Sequence, residues 1–250
     1  MRHQLTPVDS PLTSNALVMI HDQPQPCPYL EGRQARMPLH WPIRLVSPAE
    51  FDAYMEAGYR RSGTFLYRTR CGGCQACEPT RLDVERFCWS RSLRRVRDRG
   101  DRVLECRLQP PMADRSRVDL LNRHRDERNL ASSGGPLSLA DYEAFLVESC
   151  CDTQELSYWM GERLVALATV DLGATSLSAV YCFFDPDCAK LSLGTYSILK
   201  QIELAAATSR RYVYLGMYVA GNPHLNYKSR FVPQERRIDG RWQPIFVTNT

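Results

Sequence analysis

Apolar and polar residues alternate in three consecutive stretches past the middle of the chain. Residues 155–160 (ELSYWM), 163–171 (RLVALATVD) and 176–184 (SLSAVYCFF) are rich in β-branched and aromatic side chains, separated by Gly161-Glu162 and Gly173-Ala174-Thr175. Short glycine-containing breaks between such runs predict an antiparallel meander. Asp185-Pro186-Asp187 stops the third strand, and the period then changes. Ile198, Leu199, Ile202 and Ala205/Ala206 fall at i, i+1, i+4 and i+7/i+8, which predicts a helix over 193–208 opened by Ser192-Leu193-Gly194-Thr195. Alternation returns at 211–218 (RYVYLGMY), a strand expected to run parallel to a neighbour because a helix intervenes.

Upstream, Ser47-Pro48-Ala49-Glu50 is a capping box with proline at the first helical position; Phe51, Tyr54 and Met55 give that helix one apolar face and Gly58 ends it. Residues 59–68 read as a strand with Phe65 and Tyr67 on one face, and Leu104, Cys106 and Leu108 alternate with Glu105 and Arg107 as another. Helical spacing recurs at 114–128 (Val118, Leu120, Leu121) and after Ser138-Leu139-Ala140-Asp141 (Tyr142, Phe145, Leu146), with a flexible loop at 132–136 between them. Pro110-Pro111 predicts a boundary between an N-terminal unit, 1–109, and a C-terminal unit, 110–250. The fold class is therefore α+β: a mixed sheet from about Arg107 onward with helices packed on it, and an N-terminal α+β unit packed against that sheet. Residues 220–233 form a donor-rich loop just beyond a strand end, where α/β enzymes place their sites. The competing reading of that stretch is a tail folded back on the sheet through Phe231, Val232 and Trp242.

Composition adds limits. The first thirty residues hold one short apolar run, Ala16–Ile20, and no span of about eighteen apolar residues occurs anywhere, so a soluble cytoplasmic protein without a membrane segment is expected. Ten cysteines in that setting read as thiols or metal ligands, not as a disulfide framework. The formal charge is only +4, but all basic residues except Lys190, Lys200 and Lys228 are arginine, whose fork suits phosphate. A GC-rich genome accounts for the total; placement has to carry the argument. Residues 81–102 hold eight arginines against four acids, densest at Ser90-Arg91-Ser92-Leu93-Arg94-Arg95-Val96, where cations and small hydroxyls stand together as phosphate contacts require. Phe87 and Trp89 nearby serve either base stacking or the core.

Cys71-Gly72-Gly73-Cys74-Gln75-Ala76-Cys77 spaces three thiols by two residues, and Cys27, between two prolines, is a candidate fourth ligand. Zinc and an iron–sulfur cluster both suit four thiolates; reduced cysteines without metal are the alternative. Adjacent Cys150 and Cys151, and the isolated cysteines, read as small apolar residues. His124, amid charges, reads as a surface histidine.

The order of three antiparallel strands, a helix and a returning strand is similar to that of GCN5-related acyltransferases. Those acetyltransferases cradle a pyrophosphate with several glycines at the helix start, and here only Gly194 stands there. More specifically, Cys27-Pro28-Tyr29-Leu30, Arg60-Arg61-Ser62, the Cys71/Cys74/Cys77 cluster, the 90–95 segment, Ser192-Leu193-Gly194-Thr195, Tyr212-Val213-Tyr214-Leu215-Gly216 and Tyr227-Lys228-Ser229-Arg230-Phe231 resemble, in this order over roughly 27–236, the arginyl-tRNA–protein transferase family in its bacterial aspartate/glutamate leucyltransferase branch. That resemblance implies a GCN5-related transferase fold, an aminoacyl-tRNA donor, and acceptor proteins with N-terminal Asp or Glu that become marked for degradation. It also implies a metal or cluster in some eukaryotic relatives. Met217-Tyr218 and Asn222-Pro223-His224-Leu225 depart from the bacterial pattern, which bears on the choice between leucine and arginine.

The reaction so implied is aminolysis of an ester, which requires no cofactor. Donor phosphates are assigned to Arg91, Arg94, Arg95, Lys228 and Arg230, and the acceptor carboxylate to Arg60 or Arg61. Tyr181, Tyr214 and Tyr218 are candidates for hydrogen bonds to the reacting centre, with core packing as their other role. The rival classes are an RNA-binding protein without catalysis and an acyl-CoA-dependent N-acetyltransferase.

Overall fold

A computed structural model describes residues 16–130 and 135–245, so the lead-in 1–15 and most of the 132–136 loop lie outside the described residues. The chain first lays down β1 (Leu17–His21), the small β2–β3 pair (Pro24–Pro26, Gln34–Arg36), β4 (Leu39–Pro42), helix α1 (Pro48–Glu56), β5 (Arg60–Ser62) and β6 (Phe65–Tyr67). Next come β7 (Glu78–Asp83), α2 (Arg91–Asp101), β8 (Glu105–Gln109), α3 (Arg115–Glu127) and α4 (Leu139–Tyr142). The meander β9 (Thr153–Met160), β10 (Arg163–Leu172) and β11 (Ser176–Phe184) leads to α5 (Leu193–Ala207), β12 (Tyr212–Tyr218), α6 (Pro223–Asn226), β13 (Gln234–Ile238) and β14 (Arg241–Ile245).

The predicted mixed sheet forms and is wider than the pattern indicated, with eight strands in the order β14-β13-β7-β12-β11-β10-β9-β8. β10 pairs antiparallel with β9 and β11, and β12 returns parallel to β11. β7 lies upstream of Pro110-Pro111, so the sheet takes strands from both sides of that boundary. A separate four-stranded sheet, β1-β4-β6-β5, holds the N-terminal strands. The stretch 59–68 is not one strand: Ser62 pairs with Phe65 across a tight turn, and Gly63 there takes φ +56°, a conformation that costs glycine little.

Two faces of the large sheet are covered. On one, Leu93 of α2 and Tyr196, Leu199 and Ile202 of α5 pack on Leu156, Tyr158, Val165 and Val213. Ile198, Leu199 and Ile202 are all buried, as the 3.6-residue period requires. Leu199 is 0% exposed, and cutting such a side chain to alanine costs roughly 2–5 kcal/mol. On the other face, Leu121, Tyr142 and Leu146 meet Leu167 and Phe183, while Phe51 and Tyr54 of the capped helix α1 meet Tyr214.

The sheet splits along one seam. β11 and β12 pair only from Ser176↔Tyr212 to Ser178↔Tyr214. At that level both strands bulge: the β11 register slips beside Thr169/Val170, leaving Val180 unopposed, and the β12 register slips between Tyr214 and Gly216, leaving Leu215 unopposed. An unopposed residue bends and twists its strand. Two bulged parallel neighbours therefore diverge, and Gly216, at φ +82°, supplies the backbone conformation on the β12 side.

Candidate active site

The split opens into two cavities with a common wall. The first, about 770 Å³, reaches from the seam to the start of α5 and is lined by Cys182, Phe184, Gly194, Gln201 and the cations Arg128 and Arg230. The second, about 530 Å³, faces the small sheet and is lined by Arg60, Tyr67, Phe145, Ser178 and Met217. Tyr29, Tyr181, Leu215 and Lys228 face both. Tyr29 arrives there because Asn222 Nδ2 donates to its carbonyl at 2.9 Å, tying the Cys-Pro-Tyr-Leu segment to the 220–233 loop.

The two candidate acceptor arginines part ways. Arg61 Nε donates to Asp171 at 2.8 Å with both side chains 1% exposed, so its charge is already neutralised inside the fold. Arg60 is buried as well, yet donates only to the carbonyls of Tyr59 (2.8 Å) and Gly216 (3.1 Å) and to Met55 Sδ, and its Nε has no partner among the described residues. Burial lowers the pKa of its guanidinium, and the groups around it are the phenols Tyr67, Tyr214 and Tyr29, none of them a carboxylate. A buried cation without an anion is costly, and a ligand carboxylate removes that cost.

Lys228 does not stand on the surface among phosphates. Its ammonium group is buried at the cavity junction and donates to the Met217 carbonyl at 2.6 Å. Burial, with the Arg60 charge adding to it, brings its pKa down to about 7. A lysine in that range exchanges a proton near neutral pH.

Of the three tyrosines proposed for the reacting centre, Tyr181 alone lines the cavities, stacked edge-on to Phe145 at 5.3 Å. Tyr214 points to the α1 face, where Arg81 donates to its hydroxyl at 3.2 Å and it donates to Glu56 at 3.3 Å. Tyr218 lies beneath Arg236, 3.4 Å from guanidinium carbon to ring centre. The bulge at Leu215 separates the two: Tyr214 opposes Arg81 and Tyr218 opposes Glu78, three residues apart on β7, so they leave β12 on opposite faces.

Arg91, Arg94 and Arg95 lie in α2, exposed, on a helix anchored through Leu93 and capped by Ser90 Oγ, which accepts from the Leu93 amide at 3.2 Å. None of the three lines either cavity. Arg230 is exposed at the rim of the first. His124 is buried, not at the surface; its Nδ1 accepts from the Phe184 amide at 3.2 Å, and burial pulls its pKa to about 4.

The cysteines of the 71–77 loop gather beside β3. The Arg36 amide donates to Cys71 Sγ at 3.4 Å and Arg33 donates to Cys74 Sγ at 3.6 Å. Burial pushes the Cys77 thiol up to about 12, and Cys27, Cys71 and Cys74 stand near enough to add to that. The donor chemistry suits a metal, but among the described residues no three His, Cys, Asp or Glu side chains stand close enough to hold one ion. Also among the described residues, no helix is long and apolar enough to cross a membrane.

Tyr67, Arg128 and Gln201 are among the cavity residues that escaped the sequence reading. Gln201 carried a signal, a polar residue interrupting the apolar stripe of α5. Arg128 had none, being one arginine among many.

Two family models match the chain. Residues 25–95 match "Arginine-tRNA-protein transferase, N terminus" and residues 116–238 match "Arginine-tRNA-protein transferase, C terminus". A protein of Acinetobacter baumannii named aspartate/glutamate leucyltransferase is 38% identical over 89% of this chain and 82% of its own length. One of the same name from Thiobacillus denitrificans is 36% identical over 88% of this chain and 91% of its own. Among solved structures, L-PGS from Bacillus licheniformis is similar at 16% identity and a TM-score of 0.44, over 70% of this chain and 52% of that one, a likeness too loose to carry an argument.

Proposed function

The chain belongs to the arginine-tRNA–protein transferase family, in its aspartate/glutamate leucyltransferase branch, and from that membership we infer that it moves leucine from leucyl-tRNA to the N-terminal aspartate or glutamate of acceptor proteins. It is an aminoacyltransferase, and its product is an acceptor whose new N-terminal residue marks it for degradation. Arginyl-tRNA is the runner-up donor.

The observation that supports a transfer centre in the seam is the shared wall of the two cavities, with Lys228 and Tyr181 facing both. Two substrates meeting there convert a bimolecular aminolysis into a positioned one, an advantage of about 7–11 kcal/mol when alignment is good. The acceptor's α-amine attacks the ester carbonyl carbon. A C–N bond forms, the C–O bond to the ribose breaks, and a proton lost by the amine reaches the departing ribose hydroxyl. The aminoacyl ester is already activated, so this chemistry calls for no cofactor.

We assign the donor end to the first cavity. Arg128 and Arg230 lie at its side, and the first turn of α5, which the Ser192 side chain does not cap, offers backbone amides to an anionic group of the donor. The acceptor carboxylate falls to Arg60 in the second. Lys228, between them, takes the proton from the acceptor amine. Arg91, Arg94 and Arg95 supply contacts to tRNA phosphates farther along. The order of split meander, helix and returning strand supports a GCN5-related fold, and the single Gly194 at the helix start argues against an acyl-CoA donor.

The test is transfer of radiolabel from leucyl-, arginyl- and phenylalanyl-tRNA to matched peptides beginning with Asp, Glu, Asn, Arg or Lys. Leucine transfer confined to the acidic pair is expected. Absence of transfer from every charged tRNA with folded protein defeats the assignment.

A further inference from the structure

The floor of the first cavity carries an unmatched acceptor. Gln201 is 1% exposed, lines that cavity, and its Oε1 has no hydrogen-bond partner among the described residues. Its orientation is fixed by a small network. Tyr158 Oη donates to Ser197 Oγ at 3.1 Å, and Gln201 Nε2 donates to the same oxygen at 3.1 Å. A hydroxyl has one proton and two lone pairs. With Tyr158 and Gln201 Nε2 both donating to it, Ser197 Oγ has its two lone pairs taken and holds the amide by its N–H side, so the carbonyl side of Gln201 faces elsewhere. A buried acceptor so held is matched when a ligand brings a donor.

Its surroundings restrict that donor. Ile198, one turn earlier on α5, and Leu193, Ala179 and Leu215 line the same cavity with apolar surface. Such surface suits a branched aliphatic side chain. The α-amino group of an aminoacyl ester lies one bond from the carbon bearing that side chain. A leucyl group seated on the apolar wall therefore carries its amine into the neighbourhood of Gln201. The cations at this cavity, Arg128 and Arg230, disfavour an added positive charge, and a neutral amide oxygen accepts an N–H from an uncharged amine without requiring one.

We propose that Gln201 is the residue that recognises the α-amino group of the aminoacyl donor, through Oε1, and that Ser197 and Tyr158 are positioning residues that hold it in that orientation. This rests on the assignment of the donor end to the first cavity.

The experiment compares leucyl-tRNA with 4-methylpentanoyl-tRNA, which keeps the ester and the branched side chain but lacks the amine, in the unaltered protein and in Gln201→Leu. In the unaltered protein the missing amine is expected to lower kcat/KM for transfer by at least about tenfold, the size of one lost hydrogen bond. In Gln201→Leu the two donors are expected to agree within about twofold, because the partner is gone. A merely structural glutamine would lower both rates together and leave the ratio intact, and an unchanged ratio overturns the proposal. Equal use of both donors by the unaltered protein overturns it as well, while leaving leucine transfer standing. If the unaltered protein transfers leucine not at all, the functional assignment falls first. Gln201→Met, closer in shape, gives the same readout should the leucine variant fail to fold.

Discussion

Arg60 and Lys228 hold successive carbonyls of one strand: Arg60 donates to Gly216 O at 3.1 Å and Lys228 to Met217 O at 2.6 Å. Both cations are buried beside the seam where β11 leaves β12, and Arg60 is one cause of the lowered Lys228 pKa. The pairing couples the charge that awaits an acceptor carboxylate to the amine that faces the reaction. A carboxylate arriving at Arg60 neutralises it and raises the proton affinity of Lys228 as substrate binds.

Lys228 yields the first prediction. Its pKa falls from 10.5 in the unfolded chain to about 7 in the fold, so between those values the unfolded state binds the extra proton and stability rises with pH, at up to about 1.4 kcal/mol per pH unit. Lys228→Met removes this dependence. Relative to the parent, the variant should be most favoured below pH 7 and lose that advantage steadily toward pH 10. Urea melts of both proteins at pH 6.5 and 9.5 measure it, and a difference that does not change with pH means the amine stays charged. In single-turnover transfer, both Lys228→Met and Lys228→Arg should be slower by about 10²–10⁴, since arginine keeps the charge but cannot release the proton. Full rescue by arginine would assign the group to charge stabilisation instead.

The adjacent arginines should separate in two assays. Arg60→Met leaves the fold intact and lowers kcat/KM for Asp and Glu peptides by an amount equivalent to roughly 2–5 kcal/mol, with little change for an Asn peptide. Arg61→Met strands buried Asp171 without its partner and should cost about 3–5 kcal/mol of stability. Adding Asp171→Leu should restore much of it. Peptide kinetics and chemical melts on the same preparations check both halves, and equal loss of acidic selectivity in the two variants would remove the distinction.

The α2 arginines predict a salt signature. Arg91, Arg94 and Arg95 are exposed and make no ion pair among the described residues, whereas Arg97 is engaged by Asp98 at 2.7 Å. Arg94→Glu with Arg95→Glu should weaken tRNA binding most at low salt, with the slope of log K against log salt smaller by about two, because each phosphate contact releases roughly one counterion. Filter binding across a potassium series reads the slope. An unchanged slope would leave α2 a solvated face.

How much of this was legible depended on how each element satisfies its polar groups. The meander, α5 and β12 were readable because their buried faces are apolar at the right period, as at Ile198, Leu199 and Ile202. Strand β7 was not, since Glu78-Pro79-Thr80-Arg81-Leu82-Asp83 reads as a charged segment. In the fold, Arg81 pairs with Glu56 and with Glu235, and Asp83 with Arg211, so partners far away in sequence make its burial affordable. The site was legible as motifs and not as geometry. Neighbouring Arg60 and Arg61 look equivalent until Asp171, 110 positions away, claims one of them. Tyr181 and Tyr214 look alike until the bulge at Val180 and the strand pleat send them to different surroundings.

The cysteine corner gives the last prediction, one that separates a thiol cluster from a metal site without assuming either. Hydrogen bonds from the Ala76 amide, and then Arg33, hold the Cys74 thiol below its ordinary pKa, while burial pushes Cys77 up to about 12. The thiolate is the nucleophile, so at pH 7.5 iodoacetamide should label Cys74 first and Cys77 far more slowly, with Arg33→Ala slowing Cys74 in particular. Peptide mass spectrometry over a time course gives the rates. A metal or cluster would abolish the contrast, because coordination protects both sulfurs together and chelation or acid releases them together. Protein purified without oxygen, analysed for zinc and iron and then labelled, therefore has two distinguishable outcomes. Fast Cys74 with slow Cys77 and no stoichiometric metal supports free thiols, and uniform protection with one metal or cluster per chain means that the corner closes further than the arrangement described above.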